Sequence, residues 1–227
     1  MKRKPVIFPP FRMGSGGAFS TLFFFTFFYI ILFAGRTSFI KLGFSEMVAE
    51  AIILGTLLGS LFNIPLVTLE PEEHVEVVYL PPYRFPIHVI EKEGRGTILA
   101  LNVGGCLIPV IVCIYLLSKV PEALLYALIT LGGVTVIMYK ISRPVEGIGI
   151  VAPGFIPALS AALIALLLDP ELAPVIAYVG GTLGTLFGAD LLNLSVIRDL
   201  KATFASIGGA GTFDGIFLVG ILAVLLV

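Results

Sequence analysis

Residues Ala173–Leu194 read APVIAYVGGTLGTLFGADLLNL, an apolar run interrupted by a single acid. Its length is close to the ~20 residues a helix needs to cross the hydrocarbon core of a bilayer. Nothing in it alternates with the period of two that marks a half-buried strand. The run is therefore read as a membrane-spanning helix. Asp190 then sits at membrane depth, where a charge costs at least about 2.5–3.5 kcal/mol on insertion scales. A carboxyl kept at that cost normally faces the bundle interior and marks a site.

Six further apolar runs surround this one, at approximately 17–34, 46–66, 98–117, 122–139, 148–168 and 205–227. The whole chain is 58% hydrophobic and only 13% charged, and its mean hydropathy is +1.07. Soluble domains carry about 25% charged residues, and one this apolar would expose large sticky patches, so lipid is the expected solvent. The fold expected is all-α: one integral membrane domain over residues 1–227, a polytopic transmembrane bundle of about seven spans. A net charge of -1 excludes the basic footprint of a nucleic-acid binder. Lys2, Arg3 and Lys4 precede the first run, but Pro9, Pro10 and several glycines intervene. That run is also long enough to span, so no cleavable signal peptide is expected.

Loop charge gives the seven runs a direction. With the N-terminus on one side and alternating spans, that side holds Lys2, Arg3, Lys4, Arg12, Arg84, Lys92, Arg95, Lys140, Arg143, Arg198 and Lys201, eleven of the fourteen cations. The other side holds Arg36, Lys41 and Lys119. The positive-inside rule makes the first side cytoplasmic. The expected location is the cell membrane, with the N-terminus in the cytoplasm and Val227 at the outer face.

The longest loop, 69–97, carries Glu70, Glu72, Glu73, His74, Glu76, His88, Glu91 and Glu93. His74–Leu80 and Ile87–Ile90 read as extended, separated by Pro81-Pro82, which suggests a small cytoplasmic hairpin or an acidic loop. Its histidines and glutamates lack the spacing of a known metal site, and no metal is expected. Cys106 and Cys113 lie seven apart on one helix face, about 10 Å along the axis, too far for a disulfide. They read as small buried apolar side chains.

An internal repeat is visible. Leu58–Leu66 reads LGSLFNIPL and Leu183–Leu191 reads LGTLFGADL. Asn102–Cys106 reads NVGGC and Ser206–Ala210 reads SIGGA. Both pairs occur in the same order, in spans two and three and in spans six and seven. The implied plan is three spans, one linking span and three spans, a parallel repeat of a kind found in transporters. Pro65 and Val110 stand where the second copy has Asp190 and Asp214, so any carboxylate chemistry is concentrated in the second half.

Glu50 lies about one turn from the outer boundary and reads as interfacial, and Asp199 lies in a short inner loop. Asp190 and Asp214 remain as the candidate reacting groups. Glycines at 180, 184 and 188 share one face of span six, and Gly211 and Gly215 share one of span seven. Such spacing lets helix backbones approach closely. Spans six and seven, joined by a short loop, are expected to be antiparallel neighbours. Depth sets a condition on their meeting. Asp190 lies about 12 Å along a helix from Arg198, and Asp214 about 20 Å from Lys201. The carboxyls approach only if the entry to span seven is broken at Gly208-Gly209, which buried backbone tolerates.

The strings FGADLLNL (Phe187–Leu194) and GGAGTFDGIFL (Gly208–Leu218) resemble a prokaryotic membrane-protein family known only as a domain of unknown function, over most of the chain. The second string is also similar to intramembrane aspartyl proteases of the GxGD type, which place a second aspartate just after a glycine-rich turn. Phe213 replaces the glycine that precedes the aspartate in that motif. Pro157-Ala158-Leu159 matches the PAL tripeptide of presenilin-like enzymes but precedes both aspartates instead of following them. The resemblance implies Asp190 and Asp214 as a catalytic pair, with Gly208, Gly209, Gly211 and Asn193 on the substrate side.

Under that reading one carboxyl is the base that activates a shared water and its partner supports the developing oxyanion. The alternative uses the same acids to carry a proton or cation between two rocking three-helix units, as a transporter or channel. A third reading is a scaffold whose aspartates pair with a partner helix. The expected partners are the lipid bilayer and either a transmembrane peptide or a small solute or ion. Self-association is compatible with the sequence. No cofactor is expected: there is no nucleotide loop, no zinc motif and no Ser/His pair within the spans.

Overall fold

A computed structural model describes residues 15–69, 74–80, 85–91, 97–145, 149–151, 154–197, 204–209 and 215–227. The chain is mostly helical. The long helices are α1 (Ser15–Lys41), α2 (Glu46–Gly59), α3 (Ile108–Lys119), α4 (Leu124–Ile141), α5 (Phe155–Leu168), α6 (Ala173–Thr185) and α8 (Gly215–Leu226). A short α7 (Leu194–Ile197) continues α6 after a π-helical turn, Leu186–Asp190, and a 3-10 turn, Leu191–Asn193. Each apolar run thus contains a helix.

The all-α expectation needs correction. Strands β1 (Asn63–Leu69), β4 (Thr97–Asn102) and β7 (Phe204–Ile207) form a three-stranded sheet in the order β1-β4-β7. Strands β5 (Arg143–Val145) and β6 (Gly149–Val151) pair as a small hairpin. Most of these strands occupy the ends of runs assigned wholly to helix. Hydropathy alone cannot separate a buried strand from a buried helix. At β1 the reason is Pro65, which has no N–H for a helix and pushes Ile64 away from the α region. Asn63 pairs with Asn102 antiparallel, and the register shifts between Pro65 and Val67.

Within the long loop, β2 (His74–Leu80) and β3 (Phe85–Glu91) pair antiparallel from His74↔Glu91 to Leu80↔Phe85. They nest inside the β1–β4 pair, so α2 and α3 are linked by two hairpin segments in succession. Strand β4 also pairs with β7, but in parallel, from Ile98↔Phe204 to Leu101↔Ile207. Both strands therefore lead the same way toward the helix that follows, α3 or α8.

Helix α6 is the centre of the bundle. Along Val175–Thr182 every residue is buried, and α3, α4, α5 and α8 pack around it. The glycines at 180, 184 and 188 fit α4, not α8. A Cβ on Gly180 would lie 2.5 Å from Thr130 Cβ, one on Gly184 2.7 Å from Val134 Cβ, and one on Gly188 2.5 Å from the Thr135 carbonyl oxygen. The contact with α8 uses a neighbouring face. A Cβ on Gly220 would meet Thr182 Oγ1 at 2.7 Å and the Tyr178 ring at 2.9 Å. Asp190 lies near Gly208 while Tyr178 and Thr182 lie near Gly220, so α6 and α8 run antiparallel. Phe39 of α1 closes the core against the rings of Tyr178 and Phe217, at centroid distances of 5.9 and 6.4 Å.

Two helical segments, Pro121–Ile141 and Ala173–Val196, are long and apolar enough to cross a membrane. They differ in surroundings. The second is mostly enclosed by protein, whereas only 22% of the apolar window in the first is buried. Leu125, Leu128, Ile129, Val136 and Tyr139 of α4 all face outward. The apolar helices α3, α5 and α8 are shorter.

Candidate functional site

Asp190 is the last residue of the π turn that ends α6. One of its carboxylate oxygens, Oδ2, accepts the backbone N–H of Gly208 at 2.7 Å. Gly208 and Gly209 follow strand β7 with φ of +87° and +80°, a region that glycine adopts without strain. Gly208 has a second reason to lack a side chain. A Cβ there would come within 2.6 Å of Cys106 Cβ and 2.7 Å of its backbone nitrogen. The two glycine pairs therefore abut: the turn after β7 lies on the π-helical turn Val103–Leu107 that follows β4.

The entry to the last apolar run is a strand and a left-handed glycine pair, with α8 starting at Gly215. This is the interruption that the depth argument required. Gly211 and Asp214 lie outside the described residues. Asn193 is buried, and its side-chain nitrogen donates to the carbonyls of Gly188 and Ala189, both at 3.0 Å. A π turn shifts the helical hydrogen-bond ladder by one residue, and Asn193 satisfies carbonyls at that shift.

Residues that function-based sequence reasoning passed over complete the site. Asn102, fully buried, accepts the N–H of Gly105 on Oδ1 at 2.6 Å. Its Nδ2 donates to the Ser60 carbonyl at 2.9 Å and to Asn63 Oδ1 at 3.0 Å. The same Asn63 oxygen accepts from Ser206 Oγ at 2.7 Å. Ser60, Asn63, Asn102 and Ser206 thus tie the end of α2, β1, β4 and β7 together, two residues from the Gly208–Asp190 contact. The available signal was two amides, Asn63 and Asn102, within otherwise apolar runs. Buried amides need partners, and across strand ends those partners are other strands.

The glycines of the first turn serve close approach. A Cβ on Gly104 would collide with the Thr56 carbonyl oxygen and the Ser60 nitrogen, both backbone atoms. Gly59 faces the same turn, and its Cβ would lie 3.1 Å from Gly104 N. The sequence profile of one protein family, described as a protein of unknown function, matches residues 57–226. The chain belongs to the DUF1614 family. The DUF1614 segment takes in both glycine turns, the amide network and Asp190, and leaves out α1 and most of α2. No curated protein and no solved structure matches the chain. Among the described residues no cluster of three or more His, Cys, Asp or Glu is placed to hold a metal ion.

The remaining charges of the helical core lie elsewhere. Arg36 of α1 forms ion pairs with Glu46 and Glu50 of α2, the latter at 3.5 Å. Lys41 Nζ and Ser38 Oγ donate to the carbonyls of Val224 and Ile221 at 3.4 and 2.9 Å. These bonds fasten α1 to the end of α8, and leave Asp190 as the acid held at the glycine turns.

Proposed function

We propose that this DUF1614 protein is a multi-pass membrane protein of the cell membrane that cleaves peptide bonds within the bilayer, with Asp190 and Asp214 as its reacting carboxyls. The membrane reading is supported by the outward-facing aliphatic surface of α4 and by the eleven-to-three bias of loop cations. The cytoplasmic N-terminus and outer C-terminus follow from the same bias.

The observation that carries the proteolytic reading is the hydrogen bond from Gly208 N–H to Asp190. It fixes the first carboxyl on the very segment that leads, six residues later, to the second. In the reaction one carboxylate takes a proton from water, and the water oxygen bonds to the peptide carbonyl carbon. The other carboxyl gives its proton to the carbonyl oxygen. When the tetrahedral adduct collapses, the second carboxylate takes back a proton from one of its hydroxyls, the C–N bond breaks and the amine leaves with a proton returned from the first acid. Gly209, which carries no side chain, would leave room for an extended peptide backbone to approach.

Transport remains the second reading because of a specific observation: β4 and β7 run parallel into α3 and α8. That is the arrangement expected of a parallel three-one-three repeat. Interrupted helices such as α6 with its π turn are where transporters hold coupling ions. Reconstitution into vesicles with a transmembrane peptide library separates the two. Cleavage by wild type, absent in both Asp190→Asn and Asp214→Asn, is the expected result. Aspartate-dependent proton or cation flux without cleavage would replace proteolysis by transport.

A further inference from the structure

A groove of about 570 Å³ is lined by residues of the α1–α2 turn, α2 and α3. That volume falls in the range of sites that take small molecules, about 300–1,000 Å³. Its lining is mostly apolar, including Ile52 of α2 and Ile108 and Ile111 of α3, and Phe44 and Tyr115 add two rings. These two rings stack at a centroid distance of 5.2 Å and 28°. The Lys119 ammonium lies 5.7 Å from the centroid of the Tyr115 ring, so one cation stands beside a ring that lines the groove. No acid lines it. The acid at the start of α2, Glu46, is taken up by Arg36. Among the described residues Lys119 has no ion-pair partner.

We infer that this groove binds a membrane phospholipid with a net anionic headgroup, its acyl chain between α2 and α3 and its phosphate on Lys119. The inference rests on the membrane reading and is independent of the choice between proteolysis and transport. Any bilayer lipid can fill an aliphatic groove, so selection must come from the headgroup. A single cation with no ion-pair partner among the described residues, beside a tyrosine that lines the groove, supplies it: Tyr anchors at the headgroup level, and Lys extends its charge to that level while its stem covers apolar surface. Basic pockets between transmembrane helices select anionic headgroups by the same charge complementarity.

The test uses the full chain in nanodiscs of equal phosphatidylglycerol and phosphatidylcholine, followed by detergent extraction and mass spectrometry of the retained lipid. Wild type should retain phosphatidylglycerol in about fivefold preference, the effect of one basic side chain near a membrane surface. Lys119→Gln should retain both lipids equally. Ile111→Trp, at a half-exposed position, should lower total retained lipid without loss of monodispersity. Wild type without headgroup preference, or Lys119→Gln with the preference intact, would overturn the inference while leaving membrane insertion established by the same nanodiscs. Disulfide cross-linking of an Ile111→Cys variant to a second copy would also overturn it, by assigning the groove to self-association.

Discussion

Two glycine turns follow two parallel strands, and they are held in different ways. Gly104-Gly105 lies in the π-helical turn Val103–Leu107 that leads from β4 into α3, and it is capped from within, by the Asn102 side chain three residues before the N–H it accepts. Gly208-Gly209 follows β7 and is capped from outside, by the Asp190 carboxylate eighteen residues earlier. The first turn uses a neutral amide and completes itself locally. The second depends on an ionisable group from another element. A fold that needed only a cap could have used an amide twice; at the second glycine pair the cap is a carboxylate instead.

The largest effect should come from the first turn. Gly104→Ala drives a methyl into backbone atoms of α2, which cannot yield as a side chain would. A loss above about 4 kcal/mol is expected, a magnitude reserved for overpacking and comparable defects. Size-exclusion chromatography in detergent should show aggregate instead of a single peak. Gly55→Ala is the control, because its Cβ would meet only Ile108 Cδ1 at 3.8 Å. If both variants behave alike, close approach is not what the first turn is for.

The second turn should answer in activity. Asp190→Asn keeps an oxygen acceptor for Gly208 N–H, so stability should stay within about 1 kcal/mol of wild type. Peptide cleavage in the reconstituted assay should fall by about 10³-fold or more, the scale of a lost acid–base group. Asp190→Leu removes the acceptor as well and should add a stability loss of about 1–3 kcal/mol. If Asp190→Asn stays active, the carboxylate is a cap like Asn102, and the two turns differ only in their choice of partner.

These expectations also mark what was legible beforehand. The helical centres were, because long apolar runs with few charges and no period-two alternation read as helix. The run ends were not. LGSLFNIPL and LGTLFGADL match closely yet diverge in conformation: the first turns extended at Asn63, while the second continues through a π turn to Asp190. Pro65 accounts for the divergence, but the strand it starts is completed by β4, more than 30 residues away, and no local pattern carries that pairing. Asp190 was legible because one acid in an apolar run has few bland explanations. Its partner was not, because Gly208 donates from the main chain, and any non-proline residue has that donor. The glycine stripe on α6 was legible as a close contact, although which helix it meets is decided by packing around α4.

An intermediate effect tests whether the first turn is as self-contained as it looks. Asn102→Ala strands the Gly105 N–H, the Ser60 carbonyl and one contact of Asn63 in a buried site. A loss of about 2–4 kcal/mol is expected from those unmet groups, read from thermal unfolding in detergent. Asn102→Asp restores the acceptor toward Gly105 but not the donor, and should recover only part of it. Full recovery would show that the link to Ser60 and Asn63 contributes nothing.

The smallest effect concerns the joint between the two turns. Ser206 on β7 donates to Asn63 on β1, and Asn63 in turn holds Asn102. Ser206→Ala removes one such bond and should cost about 1 kcal/mol. The informative quantity is the coupling. In a double-mutant cycle, Ser206→Ala and Asn63→Ala should be non-additive by at least about 0.5 kcal/mol, because they share one bond. Ser206→Ala and Asp190→Asn should be additive in stability if the two caps act independently. Non-additivity there would mean that the amide network helps set the position of the Gly208 N–H, and so of the carboxylate it holds. The two turns would then be one device, with the neutral turn positioning the charged one.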